Sequence, residues 1–388
     1  MTANVTSITR ARAAAVRSAT RTRVNNRTAT VMMVVGFILI VIGLAATLSA
    51  SSTVGLARDE GQYSMFVRQL VGVGLGTVAM LVTARVPFPV YRQTAIPLFL
   101  ATLGLLVWVL VDGVVAGGSR RWIAVGPLPA FQPAELAKFT VIVALATVME
   151  RKHRLLGDFG HFLAPVAMIL GTTGLLVMLQ PDLGTTIVIA ACAIAVLVAS
   201  SAPFRYVVLT GLGGVVVAAM LAVAAPYRFA RITGFLEPWA DPAGNGYQLI
   251  QSYLALGTGG IFGVGLGNSR ARWFYLPNAH TDFIFSIVGE ETGFIGGVLV
   301  ILLFVVLALS GWATARRAPD EFGRMIAAGI TTWFSFQAIV NIGGVVGVLP
   351  ITGITLPFVS FGSTALVVSM AALGVLVNVA QHGTAPRS

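Results

Sequence analysis

Long uninterrupted apolar runs decide what this chain can fold into. Ten of them recur along the sequence, each of roughly 17 to 25 residues and so long enough to cross the hydrocarbon core of a bilayer as a helix. They lie near residues 29–50, 65–84, 94–111, 133–149, 161–179, 184–202, 205–225, 283–313, 322–346 and 358–380. Since 56% of the residues are hydrophobic and only 10% are charged, an ordinary soluble globule is excluded. The sequence predicts an all-α polytopic membrane protein with about ten transmembrane helices.

The polar segments between these runs predict one membrane domain and two short tails. Residues 1–28 hold six arginines and no acidic residue, which predicts a disordered cytoplasmic tail. The apolar run that follows is too long to be the core of a signal peptide. Residues 29–380 form a single ten-helix domain, with a large extracytoplasmic loop at 226–282 between the seventh and eighth helices, and 381–388 form a second cytoplasmic tail.

The distribution of basic residues predicts the orientation in the membrane. With both termini in the cytoplasm, the cytoplasmic segments hold sixteen of the 25 lysines and arginines, as the positive-inside rule requires. The net charge of +11 suits anionic lipid headgroups better than nucleic acid in a chain this apolar, so no nucleic-acid partner is expected. The single cysteine, Cys192, lies in an apolar run and cannot form an intrachain disulfide.

The loop at 226–282 is too long to be structureless in a compact membrane protein. Within it Tyr247, Ile250, Tyr253 and Leu254 recur at helical spacing among polar residues. This pattern predicts an amphipathic helix that lies at the membrane interface and is too short to span.

The end of this loop becomes the eighth span, and it carries the strongest candidate for chemistry. Thr281 is a credible N-cap, so the helix should begin near Asp282. At about 100° per residue, one helix face then collects a carboxylate and small residues: Asp282, Ser286, Gly289, Gly293 and Gly296. The glycines can serve the close packing of another helix or leave a groove open to lipid. Asp282 can be a stabilising charge at the helix N-terminus, or a catalytic base or substrate ligand.

Other charged residues in the spans require a partner or a function, because a charge in the bilayer core is costly. Glu290 and Glu291 are interpreted mainly as members of buried pairs. Lys138 either pairs with Glu135, three residues earlier, or contacts a substrate phosphate. Asp182 is interpreted as the cap of the sixth span.

The residues outside the spans favour a cavity on the outer face. Four histidines and one cysteine show no metal-ligand spacing, which argues against a zinc site. Arginines concentrate in the outer segments 112–133 and 226–282, where few basic residues are expected. Such a cavity, with one exposed carboxylate, suits an anionic substrate linked to a lipid.

Five linked motifs in order show that the chain resembles the FtsW/RodA/SpoVE (SEDS) family of bacterial cell-wall proteins, from about residue 29 to 380. The motifs are Arg121-Trp122 with 131–135 and Lys138, then 180–186, 246–252, 276–285 with 289–291, and 341–362. The family's ten-span fold agrees with the number of apolar runs. Arg68-Gln69 after Tyr63, together with the long basic tail, resembles the division branch of the family more than the elongation branch.

The resemblance implies a peptidoglycan glycosyltransferase that polymerises lipid II on the outer face of the cytoplasmic membrane, at the division septum. It implies that Asp282 is the general base that activates the 4-hydroxyl of the acceptor, and that undecaprenyl pyrophosphate leaves with inversion. The candidate substrate contacts are Arg121, Trp122, Glu135, Lys138, Arg228, Arg231, Arg270, Arg272, His280 and Ser360. No cofactor is required by the sequence, although a divalent cation, Mg²⁺ or Mn²⁺, on the pyrophosphate is chemically plausible.

The expected partners are lipid II, a class B penicillin-binding protein with transpeptidase activity, and other membrane proteins of the division complex. Three alternatives stay open: an elongation-type polymerase, a transporter that flips lipid II without making a bond, and a scaffold that only recruits the transpeptidase. Intramembrane glutamate and lysine suit a transport path, whereas an acid at the outer mouth suits chemistry.

Overall fold

The computed structural model describes residues 27–51, 61, 63–116, 119–126, 128–223, 226–270 and 279–383. The predicted disordered tail lies outside these residues except for its last two positions, which already belong to the first helix. Arg272, the start of the motif at 276–285 and the end of the C-terminal tail also lie outside them.

Across the described residues the chain forms twelve α-helices. They are α1 (Arg27–Ser51), α2 (Ser64–Thr83), α3 (Phe88–Asp112), α4 (Pro133–Arg151), α5 (Phe159–Met178), α6 (Leu183–Ala199), α7 (Phe204–Val223), α8 (Pro226–Leu236), α9 (Tyr247–Gly259), α10 (Ile284–Arg316), α11 (Glu321–Val345) and α12 (Ser363–His382). Three short antiparallel strands, β1 (Val114–Ala116), β2 (Ser119–Val125) and β3 (Leu128–Phe131), join α3 to α4. A 3-10 turn at Pro238–Ala240 separates α8 from α9.

Each of the ten predicted spans coincides with a helix. Eight of these helices are long and apolar enough to cross a membrane, which confirms the helical membrane fold. The other two are α6, which has 17 residues, and α4, which carries charged residues near both ends. Helix α3 begins at Phe88, six residues before the predicted start, because the polar turn before the apolar run is also helical.

Helices α11 and α12 form much of the centre of the bundle, together with α4. In an apolar 18-residue segment of α11, and likewise of α12, about 72% of the residues are buried inside the protein, against 6% for α7. Helix α4 buries residues on every side, including both members of a charged pair. The exposed apolar side chains of α2, α3, α5 and α7 form an outer surface that only a bilayer can cover.

Contacts between helix ends define two opposite ends of the bundle. At one end Arg92 of α3 reaches Glu150 of α4 at 2.9 Å and also pairs with Asp320, the N-cap of α11. At the other end Arg121 of β2 contacts the turn that precedes α6. The first end is called the basic end below, and the second the Asp282 end.

The predicted continuous eighth helix is wrong, because α10 is broken at Gly293, where φ is 70° and ψ is −166°. The chain that follows α9 satisfies the backbone groups freed by the break. Val264 N–H donates to Glu290 O at 3.0 Å, and Phe294 N–H donates to Gly260 O at 2.8 Å. A helix can be interrupted at membrane depth only where other backbone pairs with it in this way.

Of the two interpretations of the small residues on α10, the open groove is wrong, since α9 fills it. Ser286 Oγ is 2.8 Å from Ser252 Oγ, and a Cβ on Gly289 would lie 2.5 Å from the Leu256 side chain. The Gly259 Cα approaches the backbone of Gly289 so closely that a Cβ there would overlap it. The small residues therefore serve helix packing, the first of the two sequence interpretations.

Helix α9 occupies the position of the predicted amphipathic helix, but its orientation differs from the prediction. Ser252, one of the polar residues within the predicted helix, is fully buried against α10 and α11, where its Oγ donates to Val345 O at 2.7 Å. Leu254 is instead exposed. Packing on α10 has overridden the interfacial pattern, because a buried hydroxyl with good partners costs little. Helix α8 and the three strands were not predicted.

Candidate functional site

Asp282 lies in a turn immediately before α10, and its side chain is half-buried. The helix begins two residues later than predicted. Phe283 stands at the N-cap position and makes no capping hydrogen bond, so the expected Thr281 cap is wrong. The reason is that the backbone of this turn is held by the chain before α12. Ser360 Oγ donates to Thr281 O at 2.6 Å, and Phe361 N–H donates to His280 O at 3.0 Å.

Asn341 of α11 fixes the same turn from the other side. Its Nδ2 donates to Asp282 O at 2.8 Å and to Ile354 O at 2.7 Å, so one amide joins the Asp282 turn to the loop after α11. The other amide atom, Oδ1, is buried and has no hydrogen-bond partner among the described residues. A buried acceptor without a partner is costly, which makes this atom available to a ligand or a water.

A narrow cleft opens beside Asp282 and Asn341. It is open to solvent, and the loop at 351–354 forms its other wall. Gly353 has a φ of 73° and faces the carboxylate, because a Cβ there would lie 3.5 Å from Asp282 Oδ2. The left-handed conformation and the absence of a side chain keep the carboxylate accessible from this side.

Burial and the neighbouring charges set the pKa of Asp282. Burial raises the pKa of Asp282 to about 6, while the Arg231 guanidinium and a hydrogen bond from the Thr281 side chain act to lower it. The charges of Asp182 and Arg121 act in opposite directions on the same carboxyl group and are weaker than Arg231. The carboxylate is therefore ionised at neutral pH and can still accept a proton, as a general base requires.

Arg121 and Asp182 lie near Asp282 and interact with each other. Arg121 Nε donates to Gln180 O at 3.1 Å, its Nη2 donates to Pro181 O at 2.6 Å, and its Nη1 lies 3.8 Å from Asp182 Oδ2. Asp182 Oδ1 accepts the Thr185 N–H at 3.0 Å, which confirms that Asp182 caps α6. Arg121 thus holds the turn before α6 and also brings positive charge toward Asp282.

Glu135 and Lys138 are paired inside the helix bundle. Lys138 Nζ is 2.8 Å from Glu135 Oε2 and donates to Gln337 Oε1 at 3.0 Å, and it lies 5.0 Å from the centroid of the Trp333 ring. Lys138 is 1% exposed, so the internal pair is the interpretation that the geometry bears out. A contact between Lys138 and a substrate phosphate stays a prediction.

Glu290 and Glu291 are buried at the break in α10. Glu290 Oε2 accepts from Ser269 Oγ at 2.5 Å, and its Oε1 accepts from the Arg270 N–H at 3.0 Å. Glu291 accepts from Ser49 Oγ of α1. These contacts agree with the predicted structural role, because the two carboxylates join α10 to α1 and to the chain after α9.

The remaining predicted site residues are divided between the cleft and other places. His280, Ser360 and Arg231 lie at the Asp282 turn, and Trp122 is half-buried in β2 opposite Val114. The Arg270 side chain is exposed near the break in α10 and not at the turn. Arg228 falls in α8, where only its backbone is described, and Arg272 lies outside the described residues.

Sequence reasoning assigned no role to Asn341 or Gly353. Both belong to the motif at 341–362, and the useful signal was a polar amide in an otherwise apolar span. Metal ligands give no comparable signal: within the described part of the chain, no group of three or more His, Cys, Asp and Glu side chains is placed to hold a metal ion.

Comparison with known proteins agrees with the motif pattern. A family model described as a cell cycle protein of the FtsW/RodA/SpoVE type matches residues 29–385. Stage V sporulation protein E of Bacillus subtilis is 41% identical over 356 residues, covering 90% of this chain and 96% of the relative. A probable peptidoglycan glycosyltransferase FtsW from Geobacter sp. strain M18 is 39% identical over 351 residues, covering 90% of this chain and 95% of that relative.

Two solved structures share the fold. A chain from a peptidoglycan synthase complex, reported for its structural coordination of polymerization and crosslinking, matches with a TM-score of 0.71 at 29% identity, over 90% of this chain and 96% of that one. The rod shape determining protein RodA of Thermus thermophilus matches with a TM-score of 0.64 at 27% identity, over 90% and 95% of the two chains.

Proposed function

Because this chain belongs to the FtsW/RodA/SpoVE family of cell cycle proteins, we propose that it is a peptidoglycan glycosyltransferase of the membrane that polymerises lipid II. The observation that carries the proposal is Asp282 at the cleft. It is a half-buried carboxylate with a pKa of about 6, placed beside a cation in a turn whose backbone accepts hydrogen bonds from Asn341, Ser360 and Phe361.

In the proposed reaction, Asp282 removes the proton from the 4-hydroxyl of the acceptor sugar. The hydroxyl oxygen attacks the anomeric carbon of the donor, forming the new glycosidic bond while the bond to the pyrophosphate breaks. Undecaprenyl pyrophosphate leaves with the bonding electrons, and the anomeric configuration is inverted. The proton on Asp282 then passes to solvent, which restores the base.

Two arginines near Asp282 suit the charge that develops on the leaving group. Arg231 is exposed, its Nη1 and Asp282 Oδ2 both lie near Gly353, and its charge lowers the pKa of Asp282 more than the charge of Arg121 does. Arg121 already donates to two carbonyl groups, so we assign it mainly to holding the turn before α6. A divalent cation, if one takes part, would be bound through the pyrophosphate of the substrate.

Transport of lipid II is the second candidate, and the break in α10 is the observation that favours it. Interrupted helices with buried carboxylates line the substrate sites of many transporters. In this chain, however, Glu290 and Glu291 accept hydrogen bonds from serine hydroxyls, and the backbone at the break is paired. The break is therefore closed by hydrogen bonds.

We assign the chain to the division branch and expect a class B penicillin-binding protein as its partner. The relatives at 41% and 39% identity are named for sporulation and for FtsW, and a matching structure comes from a peptidoglycan synthase complex. We expect the protein at the septum of a dividing cell, in contact with other division proteins.

The test is polymerisation of purified lipid II, with and without a class B penicillin-binding protein, with glycan chains resolved on a gel. We expect Asp282→Asn to bind lipid II and to lower the polymerisation rate by about 10²-fold or more, the size typical of losing a general base. Glu237→Gln, which neutralises an exposed acid in the same loop, is the matched control and should retain the rate. Polymerisation by Asp282→Asn at the wild-type rate would disprove the assignment, and lipid II transfer between leaflets without glycan chains would establish transport.

A further inference from the structure

Four basic residues form a compact patch at the basic end of the bundle, far from the Asp282 cleft. The patch consists of Arg151, Lys152, Arg154 and Arg205 and is called the basic patch below. Arg151 is the last residue of α4, Lys152 and Arg154 come from the turn that joins α4 to α5, and Arg205 comes from the first turn of α7. All except Lys152, which is half-buried, are exposed.

Contacts around Tyr206 hold the two parts of the patch together. Tyr206 Oη donates to Gly157 O at 3.0 Å, which ties the start of α7 to the turn after α4. The Tyr206 ring packs edge to face on Phe159 with centroids 5.1 Å apart, and the Arg205 guanidinium lies 4.9 Å from the centroid of the Tyr206 ring. These contacts hold Arg205 in a fixed position relative to the turn after α4.

The acids near the patch are engaged elsewhere. Asp158 accepts from His161 Nδ1 at 2.9 Å and caps α5, while Glu150 faces Arg92 at 2.9 Å. Among the residues that the structure describes, none of the four patch side chains has a carboxylate oxygen within 4.0 Å. With four cations and no carboxylate paired to them in the described part of the chain, the patch carries a net positive charge.

Large apolar side chains border the patch on the side of the bilayer. Leu155 is 50% exposed within the turn, and Phe159 and Phe204 are 40% and 71% exposed at the first positions of α5 and α7. Only 6% of the apolar 18-residue segment of α7 is buried inside the protein. The exposed apolar surface of α7, which continues from these residues, is therefore covered by lipid. Basic side chains beside an exposed apolar surface fit a phospholipid at the membrane interface, because the anionic headgroup contacts the basic residues and the acyl chains contact the apolar surface.

We propose that the basic patch and its apolar border bind the headgroup of an anionic phospholipid in the cytoplasmic leaflet. The phosphate is held by the guanidinium groups of Arg154 and Arg205, and the acyl chains lie along the exposed faces of α5 and α7. A lipid bound there would bridge α4, α5 and α7, and α7 has few other contacts with the bundle.

The test uses the purified full-length protein in a neutral detergent. Palmitoyl-oleoyl phosphatidylglycerol or phosphatidylcholine is added, and the bound lipid is counted by native mass spectrometry. We expect Arg154→Gln/Arg205→Gln to lower the apparent affinity for phosphatidylglycerol by about tenfold or more, because each basic residue at a membrane surface contributes about fivefold. Binding of phosphatidylcholine and the midpoint of thermal unfolding should not change.

The matched control is Arg85→Gln/Arg316→Gln, which removes two exposed arginines from the same end of the bundle outside the patch. It should retain the affinity for phosphatidylglycerol. An equal loss in both double variants would replace the site with a diffuse electrostatic attraction and overturn the proposal.

Two further measurements locate the lipid and identify its source. A phosphatidylglycerol with a photoreactive headgroup should cross-link to peptides from 151–159 or 204–206, and even labelling of all basic segments would contradict the site. Inorganic phosphate at millimolar concentration should not displace the bound phosphatidylglycerol. Displacement would show that the patch recognises free phosphate and not a lipid.

Discussion

Asp282 is positioned mainly through hydrogen bonds to the backbone of its turn. The carbonyl groups of His280, Thr281 and Asp282 accept hydrogen bonds from Phe361, Ser360 and Asn341 respectively. Each donor comes from the chain between the start of α11 and the start of α12. A shift in that part of the molecule would therefore move the proposed base directly, and small displacements of a base are costly for a reaction.

The protonation of Asp282 predicts how the rate depends on pH. A general base works when it is ionised, so the rate should rise as the pH increases through about 6, the raised pKa of Asp282. Arg231 lowers this pKa, and Arg231→Gln should therefore move the rising limb to higher pH. The measurement is the polymerisation rate between pH 5 and pH 8, the range about the pKa where the base titrates.

Arg270→Gln is the control for this profile, since Arg270 is exposed and does not contribute to the pKa of Asp282. If Arg231 acts only on the leaving group, its loss lowers the rate equally at every pH and the midpoint stays in place. An unchanged midpoint would thus disprove the electrostatic role of Arg231.

Asn341 should matter for the reaction beyond its effect on stability. Asn341→Ala removes the donor to Asp282 O and the free acceptor Oδ1 in the cleft, so we expect the rate per folded molecule to fall by about tenfold. Asn378→Ala is a close control. Its Nδ2 donates to Ala84 O and Val86 O, its Oδ1 is also buried without a partner in the part of the chain that the structure describes, and it lies at the basic end.

Both asparagine variants should lose a similar free energy of unfolding, about 1–3 kcal/mol for carbonyls left without a donor. Only Asn341→Ala should lower the rate, measured on protein whose folded fraction is known from thermal unfolding. Equal rates in the two variants would mean that Asn341 is structural only.

At the scale of elements, apolar runs predicted the helices well because a bilayer forces the backbone of any crossing segment to bond within itself. The same reasoning could not find the sheet β1–β3, helix α8 or the break in α10. The break depends on pairing between segments distant in the sequence, such as Gly260 with Phe294, and the short strands and α8 lie outside the apolar runs. The motif residues at Asp282 were found because a charged residue at the end of an apolar run is conspicuous, whereas Gly353 carries no such signal.

The break in α10 predicts a sharp difference between two glycines on one helix. A Cβ at Gly293 would overlap the amide nitrogen of Gly263 and the carbonyl oxygen of Ile261, and the φ of 70° disfavours any side chain. We expect Gly293→Ala to lower the free energy of unfolding by about 2–4 kcal/mol through strain and lost backbone pairing. Thermal unfolding in detergent measures the change.

Gly297→Ala is the control one turn further along α10. A Cβ there meets only the Phe285 ring, at 3.5 Å, which is ordinary contact, so stability should be retained or slightly increased. A stable, active Gly293→Ala variant would show that α10 can become continuous and that the chain after α9 is not needed to close the break.

At the scale of the whole molecule, the two ends of the bundle have different tasks. The Asp282 end combines the cleft, the sheet and the helices α8 and α9, whereas the basic end combines ion pairs and the basic patch. At the basic end, Arg92 joins α3, α4 and α11 through Glu150 and Asp320 and lies 5.0 Å from the centroid of the Phe322 ring. The proposed reaction occurs on the outer face only if the Asp282 end is extracytoplasmic.

The orientation can be tested with single introduced cysteines because the native cysteine is expected not to react. Its one cysteine, Cys192, is fully buried in α6, so the wild-type protein in intact cells should not react with a membrane-impermeant maleimide. Asn245→Cys places a thiol on an exposed position of the segment before α9, next to α8 and therefore on the side of Arg231. Ala318→Cys places one between α10 and α11, beside the N-cap of α11 at the basic end.

We expect the cysteine at 245 to be labelled in intact cells and the cysteine at 318 to be labelled only after the membrane is permeabilised. The physical reason is the concentration of arginine and lysine around α4, α7, α10 and α11, which the positive-inside rule places in the cytoplasm. The reverse labelling pattern would place Asp282 in the cytoplasm, where a polymerase could not add to the wall outside the cell. It would therefore reject the proposed function together with the orientation, whereas labelling of both positions in intact cells would indicate leaky cells and is checked with a cytoplasmic marker protein.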